Sequence, residues 1–182
     1  MWSRMAFHLG AIVTACALCL LSGCVGSSVI ADETLPPEAD DIERREVWIA
    51  MPDGVRLAAD LYLPKEIQPA ERLPVLLEYI PYRKTESRSS TYHLASYFVR
   101  RGYVVARVDM RGSGSSEGRV IEYEYCDQEQ TDAEVVIDWL SKQPFSNGNV
   151  GMFGISWGGF NSIHLAMRNP PALKAIIAVM AT

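Results

Sequence analysis

From residue 47 onward, short apolar runs alternate with polar, turn-forming breaks. Residues 47–51 and 55–62 read as two strands meeting at Pro52-Asp53-Gly54, which predicts an antiparallel hairpin. Residues 73–79 (LPVLLEY) are almost continuously apolar, as in a strand covered on both faces. Residues 91–101 have a helical pattern ending at Gly102, and residues 103–108 form another apolar run. Residues 127–143 place Ala133, Val136, Ile137 and Leu140 at i, i+3, i+4 and i+7, the stripe of an amphipathic helix. Thr131 and Glu134 within it have the spacing of a capping box. A strand at 150–153, a helix at 157–168 stopped by Asn169-Pro170-Pro171, and an apolar strand at 174–179 complete the pattern.

A hairpin followed by repeated β-α-β units predicts an α/β fold: a mostly parallel sheet with helices on both faces. Ligand sites in such sheets lie beyond the carboxyl ends of the strands. No internal repeat is present.

Composition adds limits. The 182 residues carry a formal charge of −5, with a pI of about 5.2 and 48% apolar residues, which suits one globular domain. The acidic balance, without any run of Lys or Arg, argues against nucleic acid as a partner.

Residues 1–23 read as an export signal: Arg4 supplies the positive n-region, and residues 9–21 form an apolar stretch short for a membrane span. Leu21-Ser22-Gly23-Cys24 resembles the bacterial lipobox, which implies cleavage before Cys24 and lipidation of that cysteine. An ordinary secretory signal cut nearby is the alternative; both readings export the protein. With lipidation, the chain is tethered to a bacterial membrane on its periplasmic or outer face. Residues 24–42 are small, acidic and Pro-containing, a tether, and structure is expected from about Glu43 to residue 182. Cys16 and Cys19 leave with the signal, so Cys126 stands alone as a packed thiol and no internal disulfide forms.

The chemistry concentrates at Gly154-Ile155-Ser156-Trp157-Gly158. This G-x-S-x-G lies between a predicted strand and a predicted helix, the setting of a nucleophile elbow. The tight turn calls for glycine at the flanking positions, and the N–H after the serine, that of Trp157, can face a developing oxyanion.

Several further motifs occur in order: D-G-V-R-L-A-A-D-L-Y-L-P (53–64), Y-I-P-Y-R-K (79–84), V-D-M-R-G-S-G-S-S-E-G (108–118), W-L-S-K-Q-P-F-S-N-G (139–148) and G-I-S-W-G-G (154–159). Together they resemble the cocaine-esterase/X-Pro dipeptidyl-peptidase group (CocE/NonD, peptidase S15-like) of α/β-hydrolases, over residues 43–182. The resemblance implies an α/β-hydrolase-type sheet truncated after about the sixth strand, and a Ser-His-Asp triad with Ser156 as nucleophile. It also implies an oxyanion hole built from the Trp157 N–H and the Tyr82 hydroxyl. Substrates would be small esters, amides or short peptides, with no cofactor and no metal. The family usually has tyrosine after the serine, where this chain has Trp157. Its triad acid and histidine follow the nucleophile, and the 26 residues after Ser156 (182 − 156) do not reach them.

Other candidates weigh less. His164 lies eight positions after Ser156 on one predicted helix, about 12 Å along its axis, whereas a general base must come within about 3 Å of the hydroxyl. His93 is expected at the start of the helix after the third strand, in the wrong chain order for a triad base. Asp109 is expected to fix the loop 111–118 through backbone hydrogen bonds. That glycine-rich loop lacks the Lys-Ser/Thr of a phosphate-binding loop. The expected function is therefore acyl transfer through Ser156, with little turnover from these 182 residues alone. The alternatives are a tethered, non-catalytic binding module that retains the scaffold, and a split enzyme whose partner supplies the base.

Overall fold

A computed structural model of the protein describes residues 41–182, apart from 69 and 121. The export signal, Cys24 and nearly all of the expected tether lie outside the described residues. The elements are β1 (Ile42–Ala50), β2 (Arg56–Pro64), β3 (Leu73–Ile80), α1 (Arg88–Val99), β4 (Val104–Asp109), α2 (Asp127–Ser141), β5 (Ser146–Ile155), α3 (Trp157–Arg168) and β6 (Leu173–Val179). They build one six-stranded sheet in the order β1-β2-β4-β3-β5-β6. The β1–β2 and β2–β4 pairs are antiparallel, and the β4–β3, β3–β5 and β5–β6 pairs are parallel.

The hairpin turns where expected. Gly54 adopts φ +87°, a left-handed conformation suited to glycine, and the Val55 N–H donates to Asp53 Oδ1 at 3.1 Å. Both strands run further than the apolar pattern suggested. β1 begins at Ile42, and its first half is Glu43-Arg44-Arg45-Glu46. Charged side chains are tolerated there because β1 is an edge strand, where they also discourage pairing with another chain.

Period-two alternation in the central strands builds two cores. Val75, Leu77 and Tyr79 of β3, Val104, Ala106 and Val108 of β4, and Val150 and Met152 of β5 pack with Ala133, Val136, Ile137 and Leu140 of α2 and Leu165 of α3. On the other face Tyr62 and Val105, with Leu76 and Phe153, pack against Tyr92, Ala95 and Val99 of α1. Helices therefore cover both faces. Burying a side chain of this size is worth about 1.5–3 kcal/mol, so these clusters carry the stability of the sheet.

One helix start and one cap differ from expectation. α1 begins at Arg88, which puts His93 in the second turn, exposed. α2 begins at Asp127, as expected, but Thr131 and Glu134 lie inside the helix and form no capping box. In α1 polar residues start the helix ahead of the pattern that marked it.

The α1 face also buries charge at the carboxyl end of the sheet. Asp60, Arg107 and Glu78 are register neighbours across β2, β4 and β3, and the Arg107 Nε–H donates to Glu78 Oε2 at 2.5 Å. Among the described residues no helix is long and apolar enough to cross a membrane.

Candidate active site

Ser156 sits between β5 and α3 with φ 53° and ψ −119°, a conformation costly for a non-glycine residue and characteristic of functional turns. The turn is held from both sides: the Ser156 N–H donates to the Val179 carbonyl at 2.8 Å, and the Phe160 N–H donates to the Ser156 carbonyl at 2.9 Å. The glycine requirement is narrower than the motif implies. A Cβ on Gly154 would come within 2.6 Å of the Gly158 carbonyl oxygen and 2.7 Å of its Cα. A Cβ on Gly159 would meet the Val179 carbonyl at 2.8 Å. On Gly158 it would find only ordinary contacts, at 3.6 and 3.8 Å. The close approach runs from residue 154 to the backbone of 158, so residue 158 itself has room for a Cβ.

The Trp157 backbone N–H, at the first position of α3, donates to the Tyr82 hydroxyl at 3.0 Å. Tyr82, 42% exposed, follows β3 on the loop to α1 and lies 3.5 Å from the Ile155 carbonyl, to which its hydroxyl donates. The two groups expected to meet at an oxyanion are thus adjacent, beside Ser156.

The Tyr82 loop is tied down by buried charge. Lys84, fully buried, donates from Nζ to Asp60 Oδ1 at 2.9 Å, and its backbone N–H donates to Asp109 Oδ1 at 2.6 Å. Arg88 grips Asp60 Oδ2 at 3.1 Å from Nε and 3.0 Å from its terminal nitrogen. Burial alone would raise the Asp60 carboxyl, but Lys84 and Arg88 outweigh it and hold it below its ordinary value. For Asp109, burial prevails and lifts the carboxyl, against its backbone hydrogen bonds from Ser115 and Lys84. Asp109 takes the place expected of it: Oδ2 accepts the Ser115 N–H at 2.9 Å, and its carbonyl accepts the Ser116 hydroxyl at 2.6 Å. A Cβ at Gly114 would collide with this carboxylate, which accounts for a glycine there.

Among the described residues no hydrogen bond joins a histidine to the Ser156 hydroxyl. His164 lies two turns along α3 with its ring 5.4 Å from that of Tyr125, and His93 projects from α1 into solvent. Cys126 is a free, half-buried thiol at the start of α2. Among the described residues no three His, Cys, Asp or Glu side chains gather as a metal ion would need.

One residue beneath the elbow escaped the sequence reading. Glu129 is fully buried and accepts the Trp157 indole N–H at 2.7 Å; burial pushes its carboxyl up. The signal was present. Glu129 lies four positions before Ala133, on the apolar stripe of α2, and a charge on such a stripe needs a buried partner.

A mixed sheet with a strained serine at a strand-to-helix turn defines the protein as an α/β-hydrolase-type fold. Residues 53–182 match the X-Pro dipeptidyl-peptidase (S15) family, and the chain belongs to it. Cocaine esterase from Rhodococcus sp. (strain MB1 Bresler) is 41% identical over 140 residues, covering 75% of this chain and 23% of that protein. A CocE/NonD family hydrolase structure from Staphylococcus aureus aligns with a TM-score of 0.62 and 25% identity, over 74% of this chain and 27% of that one. An α-amino acid ester hydrolase structure aligns with a TM-score of 0.64 and 32% identity, over 87% and 28% respectively. The chain spans about a quarter of the length of these relatives.

Proposed function

We propose that this chain is the N-terminal part of the catalytic domain of a serine hydrolase acting on small esters, amides or short peptides. The Ser156 Oγ attacks the substrate carbonyl, forming the acyl-enzyme and expelling the leaving group; water then releases the acid. The Trp157 N–H and the Tyr82 O–H stabilise the oxyanion in both steps. The observation that carries this reading is the strained Ser156 beside two hydrogen-bond donors 3.0 Å apart. Binding an oxyanion requires the Tyr82 hydroxyl to turn its hydrogen toward the substrate, and the Trp157 N–H to exchange that hydroxyl for the oxyanion.

The substrate class follows the relatives, which carry esterase and ester hydrolase names. We place the triad histidine and acid outside these 182 residues, a reading supported by His164 lying two turns along α3 from Ser156 and by His93 lying exposed on α1. We expect the 182-residue polypeptide alone to turn over little or nothing. Export and a lipid anchor at Cys24 are part of the proposal, resting on the lipobox-like Leu21-Ser22-Gly23-Cys24.

The test uses the protein expressed from its complete reading frame. Hydrolysis of p-nitrophenyl acetate and of dipeptide p-nitroanilides is measured beside fluorophosphonate labelling, with the adduct located by mass spectrometry. An adduct on Ser156, and loss of both labelling and turnover in Ser156→Ala, support the reading. Undiminished turnover in Ser156→Ala refutes it. Incorporation of an alkynyl fatty acid that disappears in Cys24→Ala checks the anchor.

A further inference from the structure

The side of α3 turned toward α2 carries two polar groups one helical turn apart, Trp157 and Asn161. Residues i and i+4 lie above one another on a helix, and α2 meets both. Glu129 Oε1 accepts the Trp157 indole N–H at 2.7 Å, and Oε2 accepts the Tyr125 backbone N–H at 2.9 Å. Gln130 Nε2 donates to Asn161 Oδ1 at 3.2 Å, and Asn161 Nδ2 donates to Met110 Sδ at 3.7 Å. The Tyr125 ring packs on Trp157, with centroids 5.6 Å apart, and on Phe160 at 5.2 Å. The indole is therefore gripped at its N–H and walled on its face.

A fully buried carboxylate is costly to desolvate, and an apolar side chain of like volume is often as stable or more so. Folding alone gives Glu129 little reason to be an acid. Its position supplies another. Trp157 is the residue after Ser156, and its two ends are fixed in different ways. The indole N–H is bound to Glu129, and the backbone N–H faces Tyr82 at 3.0 Å. Holding the first sets the orientation of the second.

We infer that Glu129 is a positioning residue: through the Trp157 indole it aims the Trp157 backbone N–H and holds the first turn of α3 beside the strained Ser156. The inference rests on the reading that this N–H stabilises an oxyanion. Glu129 touches no reacting atom; it acts through Trp157.

The experiment measures steady-state kinetics with p-nitrophenyl acetate, using the protein from its complete reading frame. Misplacing a reacting group by about 1 Å costs up to about 100-fold. Glu129→Leu should therefore lower kcat about 10- to 100-fold, with KM changed less than about threefold. A purely structural role would not produce that split. Glu129→Gln, whose amide oxygen still accepts the indole N–H, should recover most of the loss. Trp157→Phe, which removes the indole donor, should match Glu129→Leu, and combining the two should cost no more than either alone. A wild-type kcat in Glu129→Leu overturns the inference, as do losses that multiply in the double variant, or a Glu129→Gln as slow as the leucine variant. If Glu129→Leu fails to fold, Trp157→Phe decides: a wild-type kcat there overturns it. Turnover surviving in Ser156→Ala would sink the serine reading, and this inference with it. A dead Ser156→Ala beside a fully active Glu129→Leu would sink this inference alone.

Discussion

Replacing Gly154 with alanine tests whether the elbow depends on one backbone approach. The added Cβ would lie 2.7 Å from the Gly158 Cα and 2.6 Å from its carbonyl oxygen, whereas carbon–carbon contacts rest at about 3.5–4.0 Å. The first turn of α3 must retreat by about 1 Å, and no flexible side chain can yield in its place because both partners are backbone. Overpacking of this kind costs about 1–3 kcal/mol, which in a protein of this size lowers Tm by about 2–4 °C per kcal/mol. The same displacement carries the Trp157 N–H and Ser156 out of register, at a cost of up to about 100-fold in kcat/KM. Gly158→Ala is the matched control. Its Cβ meets nothing closer than 3.6 Å, and alanine inside a helix is favoured over glycine by about 0.5–1 kcal/mol. We expect Gly158→Ala to melt no lower than wild type and to keep its activity within about threefold. Thermal melts and p-nitrophenyl acetate kinetics on both variants are the assay. An unperturbed Gly154→Ala, or a Gly158→Ala as damaged as Gly154→Ala, would refute the reasoning.

If Tyr82 serves as the proposed oxyanion donor, Tyr82→Phe removes that donor while leaving the ring, and kcat should fall about 10²- to 10³-fold; a loss below threefold would remove Tyr82 from the site. Tm should barely change, because the hydroxyl lies on an exposed residue. Asp60→Asn removes the charge that Lys84 and Arg88 face, and breaking a buried ion pair from one side costs about 3–5 kcal/mol. The Asp60 carboxyl is held below its ordinary value of 3.8 in the folded protein, so its contribution is present above pH 3.8 and lost as pH falls through the lower folded value. Urea unfolding should show a wide gap between wild type and Asp60→Asn at pH 7 that narrows below pH 3.8; a gap independent of pH would refute the assignment.

The fold was legible where periodicity and turn chemistry agree. The hairpin at Pro52-Asp53-Gly54, the buried strand at 73–80 and the α3 helix all stand close to where the apolar pattern put them. Boundaries slipped where charge hides structure. Glu43 to Glu46 pair in register with β2 although no apolar alternation marks them, because an edge strand needs hydrogen bonds more than burial on its open side. Arg88, which opens α1, looks like a loop residue until its partner is known. That partner, Asp60, is 28 positions away, and a contact of that span leaves no trace in local pattern.

The elbow itself was legible for a related reason: its chemistry is local. A strained serine, the glycine that relieves crowding and the N–H that follows lie within a few residues, so spacing alone reveals them. What holds them is not local. Tyr82 reaches Trp157 across 75 positions, Lys84 reaches Asp60 across 24, and Glu129 reaches Trp157 across 28. Each is a polar group in a place where sequence rules expect an apolar one or a solvated loop. A buried Lys84 or Glu129 violates the burial preferences that make the rest of the chain readable, and desolvation makes such a violation costly unless a partner offsets it. Charged residues on apolar stripes are therefore where a sequence reading of this fold should look for the supports of the site. The same reasoning separates two of the buried carboxylates, Asp60 and Glu129. Asp60 meets cations and is held low, so it acts as an ionic anchor for the Tyr82 loop. Glu129 meets only neutral donors and is pushed up by burial, so its value lies in the direction of its hydrogen bonds, which an amide can supply in part and a hydrocarbon cannot.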